Sequence, residues 1–199
     1  MQRAAARAAW RHTRQHRLHP TLKSISALFA VFISVPVLAA GIDLDSVSVE
    51  VGGGRSVQKI RFGVQHDMNK RYFDSNGTHI GAYWDFSISQ WRGNAYHNVQ
   101  GQRQNLTVIG ATPTFRFQRN DGTGFFGEIG IGYHLFSELY DNSDNRLSTA
   151  FQFGDHLGVG YAFPNRVEAC FKLQHYSNAS IKRLNSGANF LMFKVAAPF

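Results

Sequence analysis

The chain has 199 residues, one cysteine, 17% charged residues and a formal charge of +8, which allows one domain or at most two small ones. The charge sits unevenly, for residues 1–40 carry six Lys/Arg and no acid, while residues 41–199 carry fifteen Lys/Arg against thirteen Asp/Glu. A basic nucleic-acid-binding surface is therefore excluded, and the excess charge belongs to the N-terminus.

Arg3, Arg7, Arg11, Arg14, Arg17 and Lys23 precede the one long apolar run, residues 25–40, which ends in Ala39 and Ala40. A basic segment, a short apolar segment and a small-residue cleavage site describe a secretory signal peptide. The rival reading is an uncleaved anchor helix, but sixteen residues interrupted by Pro36 fall short of the roughly 20 that span a bilayer. The expected organisation is a signal peptide over 1–40, cleaved near Ala39 or Ala40, and a single exported domain over 41–199. Cys170 has no partner for an intramolecular disulfide and reads as a small buried filler. No CxxC, HExxH or Gly-Lys-Ser/Thr loop occurs, so metal and nucleotide chemistry have no local support.

From residue 45 onward the pattern has period two. Val47, Val49 and Val51 alternate with Ser46, Ser48 and Glu50, and Ile60, Phe62 and Val64 alternate with Arg61, Gly63 and Gln65. Ile80, Ala82, Trp84, Phe86 and Ile88 form the apolar phase of a third run. A fourth run, residues 106–118, is mixed in both phases. Phe125, Ile129, Ile131, Tyr133 and Leu135 face Glu128, Gly130, Gly132 and His134 in the fifth. The sixth sets Phe151, Phe153, Leu157, Val159, Tyr161 and Phe163 against Gln152, Gly154, His156, Gly158, Gly160 and Ala162. The seventh sets Val167, Ala169, Phe171 and Leu173 against Glu168, Cys170, Lys172 and Gln174, and the eighth carries Leu191, Phe193, Val195, Ala197 and Phe199.

Eight half-apolar strands suit a soluble sandwich, a lipocalin-like barrel or an outer-membrane barrel. Long strands with one phase rich in aromatics and the other in Gly, Gln, Lys and Glu favour an all-β, eight-stranded antiparallel transmembrane barrel. Its apolar face meets lipid and its polar face fills the interior; a lipocalin would reverse the two. Phe199, ending an alternating strand, resembles the C-terminal signal of bacterial outer-membrane proteins. Loop lengths give the orientation, since bacterial barrels keep their turns short on the periplasmic side, where both termini lie. The connections at 120–123 and 164–166 are short, and those at 90–105, 137–148 and 178–188 are long and polar. Two connections disagree: 67–78 is too long and 52–56 too short.

His175 and Ser177 extend the face of the seventh run that carries Phe171 and Leu173, because residues i and i+2 share a side of a strand. A polar pair on a lipid-facing side is costly unless it sits at the interface or has partners. Such a pair often marks no more than the start of a loop, yet two further residues join it. A tight turn between the sixth and seventh runs puts Asp155 about opposite His175, and Asn189 shares the phase of Leu191 and Phe193. Polar groups from three strands on one apolar face point to a nucleophile–base unit aimed at a lipid ester.

The segment His175-Tyr176-Ser177-Asn178-Ala179-Ser180-Ile181-Lys182, followed by Asn185-Ser186-Gly187, closely resembles the signature of the PagL-type lipid A 3-O-deacylases. The similarity extends to Gly81-Ala82-Tyr83-Trp84-Asp85, to Glu128-Ile129-Gly130-Ile131-Gly132 and to Phe153-Gly154-Asp155-His156-Leu157-Gly158. The resemblance implies an eight-stranded outer-membrane barrel whose active site faces the lipid of the outer leaflet. It implies an esterase that removes the acyl chain at the 3-position of lipid A without a metal or other cofactor. By position it implies Ser177 as nucleophile and His175 as general base, with Asn178, Ser180 (through its backbone N–H) and Asn185 at the oxyanion. The family's glutamate is replaced by Asn189, which orients an imidazole but cannot balance its charge; Asp155 is the alternative orienter. Phe171 and Leu173 are expected to line the acyl groove, and Lys182 and Arg183 to meet lipid A phosphates. The alternatives are a non-catalytic barrel, such as an adhesin or structural protein, and another lipid A-modifying acyl enzyme. Lipid A and the outer membrane are the expected partners, nucleic acid is not, and self-association as a homodimer stays open.

Overall fold

The computed structural model describes residues 44–199; the expected signal peptide and its cleavage site lie outside the described residues. Ten strands follow in chain order: β1 (Ser46–Gly54), β2 (Val57–Ser75), β3 (Thr78–Gly93), β4 (Gln104–Arg119), β5 (Gly124–Phe136), β6 (Asp141–Asn142), β7 (Asn145–Arg146), β8 (Phe151–Ala162), β9 (Glu168–Ser177) and β10 (Ala188–Pro198). Eight of them close a barrel in the order β1-β10-β9-β8-β5-β4-β3-β2, every neighbour antiparallel, while β6 and β7 form a small separate hairpin. Closure leaves no unpaired edge, which is what a strand structure in hydrocarbon requires.

The alternation sorts as expected. Val49, Phe62, Ile88, Ile129, Leu157, Leu173 and Leu191 all stand exposed on the outer surface, whereas Glu50, Arg61, Lys172 and Lys194 are buried inside. Charges taken out of water need partners, and here they find one another across the lumen. Arg61 pairs with Glu50 and, at 3.0 Å, with Asp85; Lys172 reaches Glu50 at 3.1 Å; Arg116 reaches Glu128 at 2.7 Å and Glu168 at 2.6 Å.

The interior is polar only over part of its height. Toward the end that carries the long loops, Trp91 is fully buried, with ring centroids of Phe190, Tyr176, Phe136 and Tyr140 4.4, 4.9, 5.0 and 5.6 Å away. Leu106, Val108 and Met192 complete this apolar plug. It explains the mixed fourth run: along β4 the inward residues change from Leu106 and Val108 to Thr112, Thr114 and Arg116. It also corrects the expected loop over 90–105. β3 continues to Gly93 and β4 starts at Gln104, with inward Trp91 and Leu106 beneath outward Gln90, Arg92 and Asn105. Above the apolar band the two faces exchange character, so a search for an apolar outer phase ends too early.

The connection expected over 67–78 is likewise strand. β2 runs to Ser75 and turns through Asn76-Gly77, with register shifts between Asp67 and Lys70 and between Tyr72 and Ser75. Each bulge resets the phase, and this hides the strand in the sequence. All three turns at the end shared with the termini are therefore short, and one of the two exceptions to the loop-length rule disappears. The other stands, because β1 and β2 are joined at the loop end by Arg55-Ser56 alone.

Candidate active site

Strands β8, β9 and β10 lie side by side, and their register places Asp155 opposite His175 and His175 opposite Asn189. The three residues thus form one row across the outer face, near the loop end. His175 Nδ1 hydrogen-bonds to Asn189 Oδ1 at 2.6 Å. An amide oxygen only accepts, so Nδ1 carries the proton and Nε2 is left with its lone pair. Asp155 makes no hydrogen bond to the imidazole. Ser177 follows two residues after His175 on the same face, opposite Phe153, and its hydroxyl is not hydrogen-bonded to any described residue.

The imidazole is also held from behind. Gly187 has φ +75°, and a Cβ built on it would lie 2.6 Å from His175 Cε1. Gly187→Ala is expected to displace the ring and, because a misplacement of about 1 Å costs about 10²-fold, to lower kcat by that order. Its check is steady-state kinetics beside a heat-modifiability gel showing the barrel folded. An unchanged kcat would show that the ring does not depend on this contact.

Beyond Ser177 the chain turns through Ala179 and Ser180, both with positive φ (51° and 63°). Asn178 is fully buried. Its backbone N–H donates to Asn185 Oδ1 at 3.0 Å, and its side-chain amide donates to Lys182 O at 2.8 Å and Ser148 Oγ at 3.2 Å. The donors of Asn178 are therefore spent on holding the loop. The Ser180 N–H and the Asn185 Nδ2 donate in no described hydrogen bond, while Asn185 Oδ1 accepts from Asn178. The loop is braced from the neighbouring connection, where Ser148 donates its hydroxyl to Lys182 O at 3.0 Å and its N–H to Leu184 O at 3.1 Å.

That neighbouring connection is the β6–β7 hairpin, which ties the loops together. Asn142 accepts from the Ala95 N–H at 2.8 Å and donates to Ser56 O at 3.1 Å. Asp141 accepts from Arg146 at 2.7 and 2.8 Å and meets His97 Nδ1 at 3.0 Å. The Arg146 hydrogen bonds, with His97 in the same sense, hold the Asp141 carboxyl below its ordinary value of 3.8. A carboxyl with a lowered folded-state pKa contributes stability above its unfolded value and loses it as pH falls through the folded value. Amide-exchange protection across the hairpin is expected to drop as pH falls below 3.8; an Asp141→Asn protein that showed the same drop would assign it elsewhere.

On the outer surface a cavity of about 530 Å³ crosses four strands, lined by Gly53 and Gly54 of β1, Leu191 and Asn189 of β10, Leu173 and His175 of β9, and Asp155 and Leu157 of β8. Leu173 lines it as expected. Phe171 stands one pair further from the loops, 5.1 Å from Phe193. Lys182 and Arg183 are exposed in the last loop. Sequence reasoning missed Gly187, Ser148, Gly53 and Gly54. Only Gly187 left a trace, as part of the Asn185-Ser186-Gly187 segment.

Comparison with known proteins agrees with this arrangement. The chain is 29% identical over 162 residues to the lipid A deacylase PagL of Pseudomonas aeruginosa, spanning 81% of this chain and 89% of the relative. It is 33% identical over 123 residues to the lipid A deacylase PagL of Bordetella bronchiseptica, spanning 60% and 67%. The crystal structure of the outer membrane enzyme PagL superposes with a TM-score of 0.67 at 27% identity, covering 77% of this chain and 99% of that one. The model of the lipid A 3-O-deacylase (PagL) family matches residues 58–198, and the chain belongs to that family.

Proposed function

We propose that this chain is an outer-membrane esterase that removes the ester-linked acyl chain at the 3-position of lipid A, with Ser177 as nucleophile and His175 as general base. The observation that carries this reading is the His175–Asn189 hydrogen bond on the outer, apolar face of the barrel, beside a groove and next to a free serine hydroxyl. A barrel without chemistry has no use for a row of polar residues exposed to hydrocarbon.

His175 Nε2 takes the proton of Ser177 as Oγ attacks the ester carbonyl, and the tetrahedral oxyanion forms. The Ser180 N–H and the Asn185 amide supply the donors, while Asn178 fixes the loop that presents them. The imidazolium then protonates the departing sugar 3-oxygen, and the acyl-serine remains. Water, deprotonated by His175, hydrolyses that ester and returns the serine. Nucleophile and base close on each other when the ester is engaged, since such hydrogen bonds are often loose beforehand. Asn189 orients the ring, and Asp155 supplies negative charge from its other side. The groove around Leu173, continuing toward Phe171, receives the acyl chain, and Lys182 and Arg183 lie at the level of the headgroup.

With termini and short turns in the periplasm, the site faces the outer leaflet. Mass spectrometry of lipid A from Gram-negative cells expressing the chain is expected to show loss of one 3-hydroxyacyl mass. Unmodified lipid A beside a folded barrel in the outer membrane would sink the reading.

A further inference from the structure

The cationic rim beside the catalytic groove has no role in the mechanism above. A second cavity, of about 400 Å³, is lined by Gly54, Ser56, Val57, Gln58, Arg92, Asn94 and Arg103. It holds two guanidinium groups and no carboxylate. Arg92 and Arg103 are both exposed, and their guanidinium groups form no ion pair or hydrogen bond with a described residue. At the opposite end of the barrel Arg71, Arg116 and Arg119 each have an acidic partner, Asp74, Glu168 and Asp121 respectively. A guanidinium fork without a carboxylate matches the oxygens of a phosphate.

The place of this cavity in the register is specific. Asn105, Arg92, Gln58, Gly53, Leu191 and Leu173 are successive cross-strand partners along one row, from β4 to β9. Gly54 lines both cavities. From Arg92 on β3 to Leu173 on β9 is four strand spacings, about 19 Å, which a sugar disaccharide and an arginine side chain together span. Arg92 lies four residues beyond Ile88, the exposed apolar residue of β3, and is flanked by exposed Gln58, Gln90 and Asn105. That is about 13 Å further along the strand, above the hydrocarbon and at the level of headgroups. Between the two cavities the barrel wall ends in the Arg55-Ser56 turn, the one connection at this end that is unexpectedly short. The rim itself is braced, as the Asn94 N–H donates to Ser56 O at 2.9 Å and Asn142 holds Arg55 O and Ser56 O.

We infer that Arg92 and Arg103 form a phosphate-binding subsite for a phosphorylated glycolipid headgroup, which crosses the Arg55-Ser56 turn so that its acyl ester reaches Ser177. This rests on the esterase reading and adds a second anchor to it. The test is binding to the full-length barrel in detergent, in a Ser177→Ala background that does not consume the ligand, with bisphosphorylated and phosphate-free lipid A as probes. The expected result is preference for the bisphosphorylated lipid by about tenfold or more, from two charge-assisted contacts. In Arg92→Gln/Arg103→Gln the ratio falls toward one. Inorganic phosphate at millimolar concentration is expected not to compete, which separates a lipid headgroup from a free-anion site. No preference in the parent protein, or an undiminished ratio in the double variant, overturns the subsite. So does full competition by inorganic phosphate. Phosphate preference in a protein that never deacylates lipid A would keep the subsite and remove the esterase; turnover without that preference would do the reverse.

Discussion

Ser177→Ala is expected to abolish deacylation of lipid A while leaving the barrel intact. Ser177 is half-buried at the end of β9, its hydroxyl is hydrogen-bonded to no described residue, and its backbone pairing with Phe153 does not involve the side chain. Removing Oγ therefore costs little stability, and with Ser177 as the proposed nucleophile it is expected to end covalent catalysis. In a Ser-His-Asp hydrolase the loss of either serine or histidine costs about 10⁶-fold in kcat. Without a carboxylate on the ring the starting rate here is lower, so a loss of at least about 10³-fold is the expectation. His175→Asn should lose as much, and the double substitution no more than either alone, because the two act as one unit. Lipid A mass spectra from matched cultures and single-turnover kinetics in detergent give the readout. Residual turnover within tenfold of the parent would remove Ser177 from the mechanism.

The second large effect runs in the other direction. Asn189→Glu is expected to raise kcat by about 10- to 10²-fold with little change in KM. Asn189 lies opposite His175, is exposed, and already holds Nδ1 at 2.6 Å, so a glutamate has room to take up the same contact. The gain comes from charge, because a carboxylate beside the imidazolium stabilises the state formed during attack. An amide in place of the carboxylate costs about 10⁴-fold in a Ser-His-Asp protease, through both charge and the wrong tautomer. Here the amide oxygen sets the tautomer correctly, so only the charge part is available to be regained. Asp155→Asn separates two accounts of that charge. If Asp155 supplies it from across the ring, this substitution lowers kcat in the parent, and its effect shrinks once Glu stands at 189. An Asn189→Glu protein no faster than its parent, together with an inert Asp155→Asn, would show that imidazolium charge does not limit the rate.

The barrel was legible because lipid and lumen impose opposite chemistry on successive residues, and Val49/Glu50 or Phe171/Lys172 record that directly. The row Asp155–His175–Asn189 was legible for a related reason: a tight turn after β8 fixes the pairing by counting, and period two fixes the face. Sequence failed where either condition lapsed. In β2 two bulges break the count, so residues 67–75 read as loop. Around Trp91 the strands pass beyond the apolar band and the inside becomes the apolar side.

The loops depend on contacts that no local pattern encodes. Ser148 reaches Lys182 across 34 residues, and Asn142 reaches Ser56 across 86. In the same loops the donors of Asn178 are spent on Ser148, Lys182 and Asn185, the Ser180 N–H and Asn185 Nδ2 keep their hydrogens, and Gly187 stands against His175. The sequence alone determined the eight strands, their faces and the polar residues placed on the wrong one, since these follow from the two-residue repeat of an extended chain. Tertiary structure alone decided which amides are available, what holds the imidazole, and that an arginine cavity adjoins the groove, because each depends on segments far apart in the chain meeting at one rim.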